Sequence, residues 1–486
     1  MSAALGRLAP EARASRPAVA FYGDDFTGST DALSQYHRFG LRGILLLKNP
    51  DKRRLAELAS AYDVVGVAGV SRSLAADRME AEVRPILEAF RGVSPRLVQY
   101  KICSTADSSP SVGSFGKILE IGREVFGRVP VPVLAAQPEF GRYTVFGNHF
   151  AADSGTIYRL DRQPSMASHP VTPMNESDLR IHIGRQTRLT VDLMDVVSLS
   201  LPPDRALERY RGIVTGNPGA VVFDALELSH LRRATEVMLS ASPRRPLFAL
   251  GSGGLSYGVG EHLAGAARPA GSAGSAGSAG SAGSAAGDGT SCFRPPAPVR
   301  RILAVSGSCS PQTAEQIRWV LARGWKGIRL DVGSLLGHGA APLTSVCEAV
   351  LDGLASSPGV VVYTALGPAD RHADEVRRTI TSGSLSREGL LTAIGAALGR
   401  IVRTVLERTE VRRVVVAGGD TSGRVMREIG ADALEVETIL GVAAAQCRVH
   451  SADPSIDKMQ VLLKGGQVGG LDLLEVARQG KLRSSR

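Results

Sequence analysis

Two adjacent carboxylates, Asp24 and Asp25, follow an apolar run, Ala18 to Tyr22, across a single glycine, and Thr27-Gly28-Ser29 comes directly after them. The run reads as a buried strand, and the hydroxyl-rich turn as the start of a helix through Leu33 and Tyr36. Two acids in sequence are poor core material, because burying unpaired charge is costly. Two readings stand side by side. In one, Asp25 or Thr27 merely caps the helix and Asp24 is solvated. In the other, one acid takes a proton from a substrate hydroxyl while its neighbour binds hydroxyls or orients the site. The carboxyl end of a central strand in an open α/β sheet is where ligands bind.

Further candidates recur at strand ends. Arg72, in Ser71-Arg72-Ser73, stands just past the apolar stretch Asp63 to Val70. It is a surface arginine or a carboxylate clamp, for which its planar fork is suited. Ser104, Thr105 and Asp107 close the stretch Arg96 to Ser104 and form a hydroxyl-rich loop, either a polyol site or an ordinary turn. In the second half, apolar runs end in Ser306 to Ser310, Thr364 to Gly367, Gly418 to Gly423 and Gly465 to Gly470. Gly/Ser loops feeding helix N-termini are natural phosphate cradles. None carries the G-x-x-x-x-G-K-[ST] or G-x-G-x-x-G pattern, which disfavours an NAD-dependent oxidoreductase.

The elements that must position these residues alternate between strand and helix. The expected fold class is therefore α/β: two domains, each a mostly parallel sheet flanked by helices, with the active site in the interdomain cleft. Residues 147–186 are less regular and contain Pro170 and Pro173, which suggests an excursion covering a cleft; His169 within it reads as a hydrogen-bonded loop histidine. A Gly-Ser-Ala repeat from Ala270 to about Ala286 reads as a flexible linker. The expected organisation is a disordered lead over 1–16, a first domain over 17–268, the linker over 269–297, a second domain over 298–480 and a tail over 481–486.

The 486 residues allow two or three domains. Net charge is +10, but the basic residues are scattered and aromatics make up only 5%, so nucleic acid is not an expected partner. No apolar run of bilayer length is expected, and the first residues lack the apolar segment of a secretory signal. Five widely spaced cysteines without a C-x-x-C pair argue against a zinc site and for a reducing cytoplasm. A homodimer is left open.

Taken in order, these motifs resemble those of the four-carbon acid sugar kinases, which act on threonate, erythronate and 3-oxo-tetronate. The resemblance spans nearly the whole chain. It rests on Gly23 to Asp31 (GDDFTGSTD), Ser71 to Ser73, Tyr100 to Ser109 (YKICSTADSS), Tyr158 to Arg162 (YRLDR), His169 to Met174 (HPVTPM), Ser306 to Ser310 (SGSCS) and Gly418 to Ser422 (GGDTS). The resemblance implies an N-terminal domain for the acid sugar and a C-terminal domain for ATP. It implies substrate contacts from Asp24, Asp25, Arg72 and the loop Ser104, Thr105 and Asp107. It implies ATP contacts from Ser308, from Thr364, Ala365, Leu366 and Gly367, from Gly418, Gly419, Asp420 and Thr421, and from Gly466. The chain departs from the family pattern K-S-G-N-F-G at Gly465, Gln467 and Val468, and Ser71 replaces the usual threonine before Arg72.

The expected reaction is phosphoryl transfer from Mg²⁺-ATP to the terminal hydroxyl of a small sugar acid, which is mostly positioning and charge stabilisation. Asp24 or Asp25 would take the proton, Arg72 would pair with the substrate carboxylate, and Asp420 would face the nucleotide or its hydrated Mg²⁺. No metal site built from protein ligands is expected. A non-catalytic sensor of a sugar acid or nucleotide is the alternative.

Overall fold

The computed structural model describes residues 16–153, 155–169, 171–242, 246–267, 296–337, 341–367, 370, 386–441 and 444–480. Most of the expected lead and linker, and the tail, lie outside the described residues. Eighteen strands appear among them: β1 Val19–Gly23, β2 Gly43–Leu46, β3 Val64–Ala68, β4 Leu97–Lys101, β5 Val131–Leu134, β6 Arg142–Val145, β7 Asn148–Asp153, β8 Thr156–Arg159, β9 Val191–Met194, β10 Ala220–Phe223, β11 Leu247–Gly251, β12 Ile302–Ser306, β13 Lys326–Arg329, β14 Gly359–Tyr363, β15 Arg413–Ala417, β16 Ala433–Gly441, β17 Ala444–His450 and β18 Gln460–Lys464. The chain divides into two compact units.

In the first unit the strand order is β3-β1-β4-β11-β5-β10-β9, and all of these neighbours run parallel. β1 is buried at every position, as a strand covered on both faces must be. Because the chain passes from β1 to β3 on one side and then to β4 on the other, the carboxyl end of β1 is a topological switch point. The helix Phe26–Arg38 leaves that end and buries Leu33 and Tyr36; the Tyr36 hydroxyl donates to Gln99 Oε1 at 2.7 Å. A separate antiparallel sheet, β6-β7-β8, begins just before the irregular stretch 147–186 and places β7 and β8 within it.

The second unit places its strands in the order β13-β14-β12-β15-β18-β17-β16-β2. Its core is again parallel, and β12, between β14 and β15, is its switch point. The antiparallel β16-β17 hairpin was not anticipated: its residues alternate buried and half-buried along β16, a pattern of one covered face. Nor was the exchange at the sheet edge. Residues Ile44–Asn49 group with this unit, where β2 pairs with β16, rather than with the surrounding 17–268.

One expectation is corrected here. The helix Arg387–Arg408 contains a stretch, Gly389–Arg408, long and apolar enough to cross a membrane, with mean hydropathy 1.5. More than half of that stretch is buried inside the fold, where Leu390, Leu398, Ile401, Val402 and Val405 are covered. Each such side chain contributes about 1.5–3 kcal/mol through burial. Its apolarity is that of a core helix; the sequence pattern over Arg387 to Arg408 reads as an amphipathic helix, and Arg400 and Arg403 interrupt its apolar run.

Candidate active site

The acidic pair sits where β1 runs out. The Asp24 amide donates to the Lys101 carbonyl at the end of β4 (3.0 Å), and its own carbonyl accepts from the Arg72 amide (3.1 Å). Ser71–Ser73 is a short 3₁₀ turn, so Arg72 is laid across the end of β1 by its own backbone. Its guanidinium meets Asp24 side-on, Nε to Oδ2 at 3.1 Å and Nη2 to Oδ1 at 2.7 Å. Nη1 donates to Asp25 Oδ2 at 3.0 Å and lies 4.0 Å from Asp107 Oδ2.

The capping and chemical readings of Asp25 prove compatible. Its Oδ1 accepts from the Gly28 amide (2.8 Å) and Oδ2 from the Thr27 hydroxyl (2.9 Å), which satisfies orphan groups of the helix N-terminus. Its side chain nevertheless stays 25% exposed, whereas that of Asp24 is 2% exposed. The environment separates the two acids. Burial pushes Asp24 above the usual carboxylate range despite Arg72. Burial also acts on Asp25, but Arg72, Lys101 and its hydrogen bonds outweigh it and hold Asp25 below that range.

The third group is the loop after β4. Thr105 Oγ1 donates to Asp107 Oδ1 at 2.6 Å, Ala106 adopts a left-handed φ of 54°, and the Ser104 hydroxyl has no hydrogen bond among the described residues. Histidines absent from the sequence reading anchor this loop. His149 on β7 donates Nε2–H to the Ser104 carbonyl at 2.7 Å, which leaves Nδ1 to accept from the Thr144 hydroxyl at 2.9 Å. His182 Nε2 lies 2.8 Å from the Ser108 hydroxyl, and Gln186 joins both. Burial lowers each histidine to about 4, so both are neutral near pH 7.

Lys101 and Asp31 were also missed. Lys101 Nζ donates to the Ile102 carbonyl at 2.9 Å and lies 3.9 Å from Asp31 Oδ2; Asp31 also accepts from Gln35 and Gln137. A lysine closing an apolar strand was the available signal for Lys101. Asp224, at the end of β10, is structural: it accepts from the amides of Phe146, Gly147 and Val196 and so holds the β6–β7 turn. His169 Nδ1 accepts from the Thr172 amide at 3.0 Å, the hydrogen-bonded loop role expected of it.

In the second unit the Gly/Ser loops gather at one sheet edge. The Thr364 amide donates to the Ser306 carbonyl (3.1 Å), and the Gly418 amide to the Lys464 carbonyl (2.9 Å). Gly418 takes φ 122°, and a Cβ there would lie 3.1 Å from Thr421 Oγ1 and 3.4 Å from the Ser308 amide. A Cβ on Gly466 would meet Ser308 Oγ at 2.9 Å. Ser308, Gly418, Thr421 and Gly466 are thus brought together, and Ala365, Leu366 and Gly367 follow the neighbouring strand β14. The helix after β15 begins at Gly419, not at Arg424 as the sequence suggested. Gly419 and Asp420 therefore belong to its first turn, where free N–H groups attract anions; the side chain of Asp420 lies outside the described residues.

Lys464 closes β18 at this edge. It is 1% exposed, and its Nζ donates to Thr313 Oγ1 at 2.8 Å. Ser310 and Thr313 hydroxyls both donate to the Gly466 carbonyl at 2.7 Å, tying the last Gly-rich loop to the helix Pro311–Leu321. Among the described residues Lys464 has no carboxylate within 4 Å, and burial lowers it to about 8. No group of three or more His, Cys, Asp or Glu side chains could hold a metal among the described residues.

Comparison with known proteins agrees with this division. A family model described as a sugar-binding N-terminal domain matches residues 19–259, and one described as a nucleotide-binding C-terminal domain matches residues 303–474. The chain is 37% identical over 468 residues to a 3-oxo-isoapionate kinase of Paraburkholderia graminis, covering 96% of this chain and 94% of that one. It is 30% identical over 451 residues to a 3-oxo-tetronate kinase of Methylobacterium radiotolerans, covering 92% and 96%. A Salmonella typhimurium protein described as a putative tRNA synthase shares the fold, with a TM-score of 0.73 at 20% identity over 95% of this chain and 98% of that one. A Haemophilus influenzae protein of the DUF1537 family does so with a TM-score of 0.68 at 20% identity, covering 94% and 99%. With both domain models matched in order and curated kinases aligned along nearly its full length, the chain belongs to the four-carbon acid sugar kinase family.

Proposed function

We propose that this protein transfers the γ-phosphoryl group of ATP to the terminal hydroxyl of a small sugar acid, of the four-carbon or branched 3-oxo kind for which its relatives are named. The supporting observation is the cluster of Asp24, Asp25, Asp107 and Arg72 at the switch point of the sheet that the sugar-binding model matches. The sugar acid is assigned to 17–268 and the nucleotide to 298–480. ATP use accords with a cytoplasmic setting.

Asp25 is the acid that can reach a hydroxyl, because it is partly exposed while Asp24 is enclosed. It is ionised near pH 7, orients the attacking oxygen and accepts its proton as the new P–O bond forms. A weak base suffices, because the phosphoryl transition state asks mainly for positioning. Asp24 fixes Arg72. The free Ser104 hydroxyl, with Thr105 and Asp107, binds substrate hydroxyls, and His149 holds that loop in register.

The residues of the second unit fit a nucleoside triphosphate. Gly418 and Gly466 leave room that a Cβ would fill, and the first turn from Gly419 offers N–H groups. Ser308 and Thr364–Gly367 complete that assignment. Mg²⁺ is proposed to arrive with ATP, where it neutralises phosphate charge, and Asp420 is the side chain assigned to it.

The test is ADP release with Mg²⁺-ATP across a panel of four-carbon and branched sugar acids and their 3-oxo forms. Acid-dependent turnover is expected with at least one. ATP binding without turnover on any acid would contradict the reading.

A further inference from the structure

A sugar acid brings its own negative charge to a site that is already acidic. Asp24, Asp25 and Asp107 surround one guanidinium, and Arg72 is committed to the first two through Nε, Nη1 and Nη2. Lys101 is enclosed and faces Asp31. Arg72 therefore keeps one N–H, on Nη1, for a substrate, and a side-on grip on a substrate carboxylate needs another cation.

Arg142 is such a cation. It opens β6 and is pinned beside the end of β5 by paired backbone bonds with Gln137, at 2.9 and 3.2 Å. Its Nη1 donates to the carbonyls of Phe140 (2.7 Å), Gly141 (3.4 Å) and Ala152 (3.2 Å), which fixes the plane of the guanidinium. Its Nε is buried without a hydrogen-bond partner, and Nη2 has none among the described residues. No carboxylate lies within 4 Å of it among the described residues, yet Asp107 and Asp153 are near enough for their charges to act on it. It shares this neighbourhood with His149, the residue that carries the Ser104 loop. A guanidinium half-saturated by carbonyls, with its Nε–Nη2 edge unspent, is the arrangement that receives a carboxylate side-on. A buried donor without a partner is rare, and a ligand carboxylate would satisfy this one.

We propose that Arg142 receives the carboxylate of the sugar acid and sets the enzyme's preference for acids over neutral polyols, while Arg72 is a positioning residue for Asp24 and Asp25. The assignment rests on the sugar-acid kinase reading and adds the residue that selects the acid. It also fixes the direction of the substrate. The carboxylate end lies toward Arg142, the middle hydroxyls face Ser104, Thr105 and Asp107, and the terminal hydroxyl lies toward Asp25.

The experiment compares the full-length enzyme with Arg142→Gln and Arg142→Lys. For each, kcat/KM and calorimetric affinity are measured with an accepted sugar acid and with its neutral carboxamide. Arg142→Gln is expected to lose about 10- to 100-fold of the acid-over-amide preference, the range for one charged hydrogen-bonded pair, while kcat on the acid stays within a few-fold. Arg142→Lys keeps the charge but not the fork and is expected to lose roughly tenfold. Its fold is the easier to preserve, so it decides the matter if the glutamine variant unfolds. An unchanged preference in the variants, or an equal loss for acid and amide, would overturn the assignment. A wild-type enzyme that neither binds nor turns over any acid would instead bring down the kinase reading and this proposal with it.

Discussion

At the carboxyl edge of the first sheet, charges are present in excess and answer one another: Asp24 and Asp25 close on Arg72, and Asp31 faces Lys101. At the equivalent edge of the second sheet the working groups are backbone amides, glycines and hydroxyls, and the one enclosed side-chain charge, Lys464, has no carboxylate partner among the described residues. Both edges are switch points of parallel sheets, so topology is shared and chemistry is not. A side-chain cluster that is internally paired is rigid before any ligand arrives. A buried cation with no carboxylate beside it costs the ligand-free protein stability, and an anion would offset that cost.

The sharpest way to break this contrast is to unpair the first cluster. Arg72→Leu leaves Asp24 buried without its partner and is expected to destabilise the protein by roughly 3–5 kcal/mol in urea unfolding. A loss under 1 kcal/mol would show that the pairing is not what holds the cluster. The converse is expected in the second unit. Lys464→Met removes a buried charge whose folded value, about 8, lies below its unfolded value near 10.5. The native state binds fewer protons between those values, so the wild type gains stability as pH rises from about 8 to 10.5. The variant should lack that gain, be more stable than wild type below pH 8 by at most about 3 kcal/mol, and bind ATP more weakly. Equal or lower stability at pH 7 would remove the contrast.

Two smaller effects sharpen it. Gly466→Ala places a methyl against Ser308 Oγ and should raise the KM for ATP about tenfold, or about 1.4 kcal/mol, with the sugar-acid KM unchanged. A change confined to the sugar acid would misplace the cradle. His149→Gln should cost about 1 kcal/mol and raise the sugar-acid KM by loosening Ser104. Because His149 is lowered to about 4, the unfolded state binds more protons between pH 6.5 and 4, and wild-type stability falls as pH drops through that window. The variant should lose part of that slope, measured by thermal unfolding across the window; an identical slope would show that His149 titrates normally.

The legible parts of this molecule were local. An apolar run ending in Gly23-Asp24-Asp25 announces a strand end, and the same logic placed Arg72, Thr105 to Ser109 and the glycine loops of the second half at strand ends. What escaped was long-range. His149 lies 45 residues from the Ser104 carbonyl it supports, and nothing near His149 in sequence says so. The exchange of Ile44–Asn49 and the β16–β17 hairpin depend on pairing partners hundreds of residues away or on a face covered only in the fold. Lys101 and Lys464 were readable in principle, since each is a charge closing an apolar strand. That Arg72 would be shared by Asp24, Asp25 and Asp107 was equally hidden, because these carboxylates gather around one guanidinium only after β1, β3 and β4 pair.

The central claim is that the first unit supplies the chemistry and the second holds the phosphates. It is tested most directly by two-substrate kinetics of Asp25→Asn with the accepted sugar acid. The expected result is a fall in kcat of about a hundredfold or more, with the KM for ATP within about threefold of wild type. Near-wild-type kcat, or a loss expressed mainly as weaker ATP binding, would contradict it.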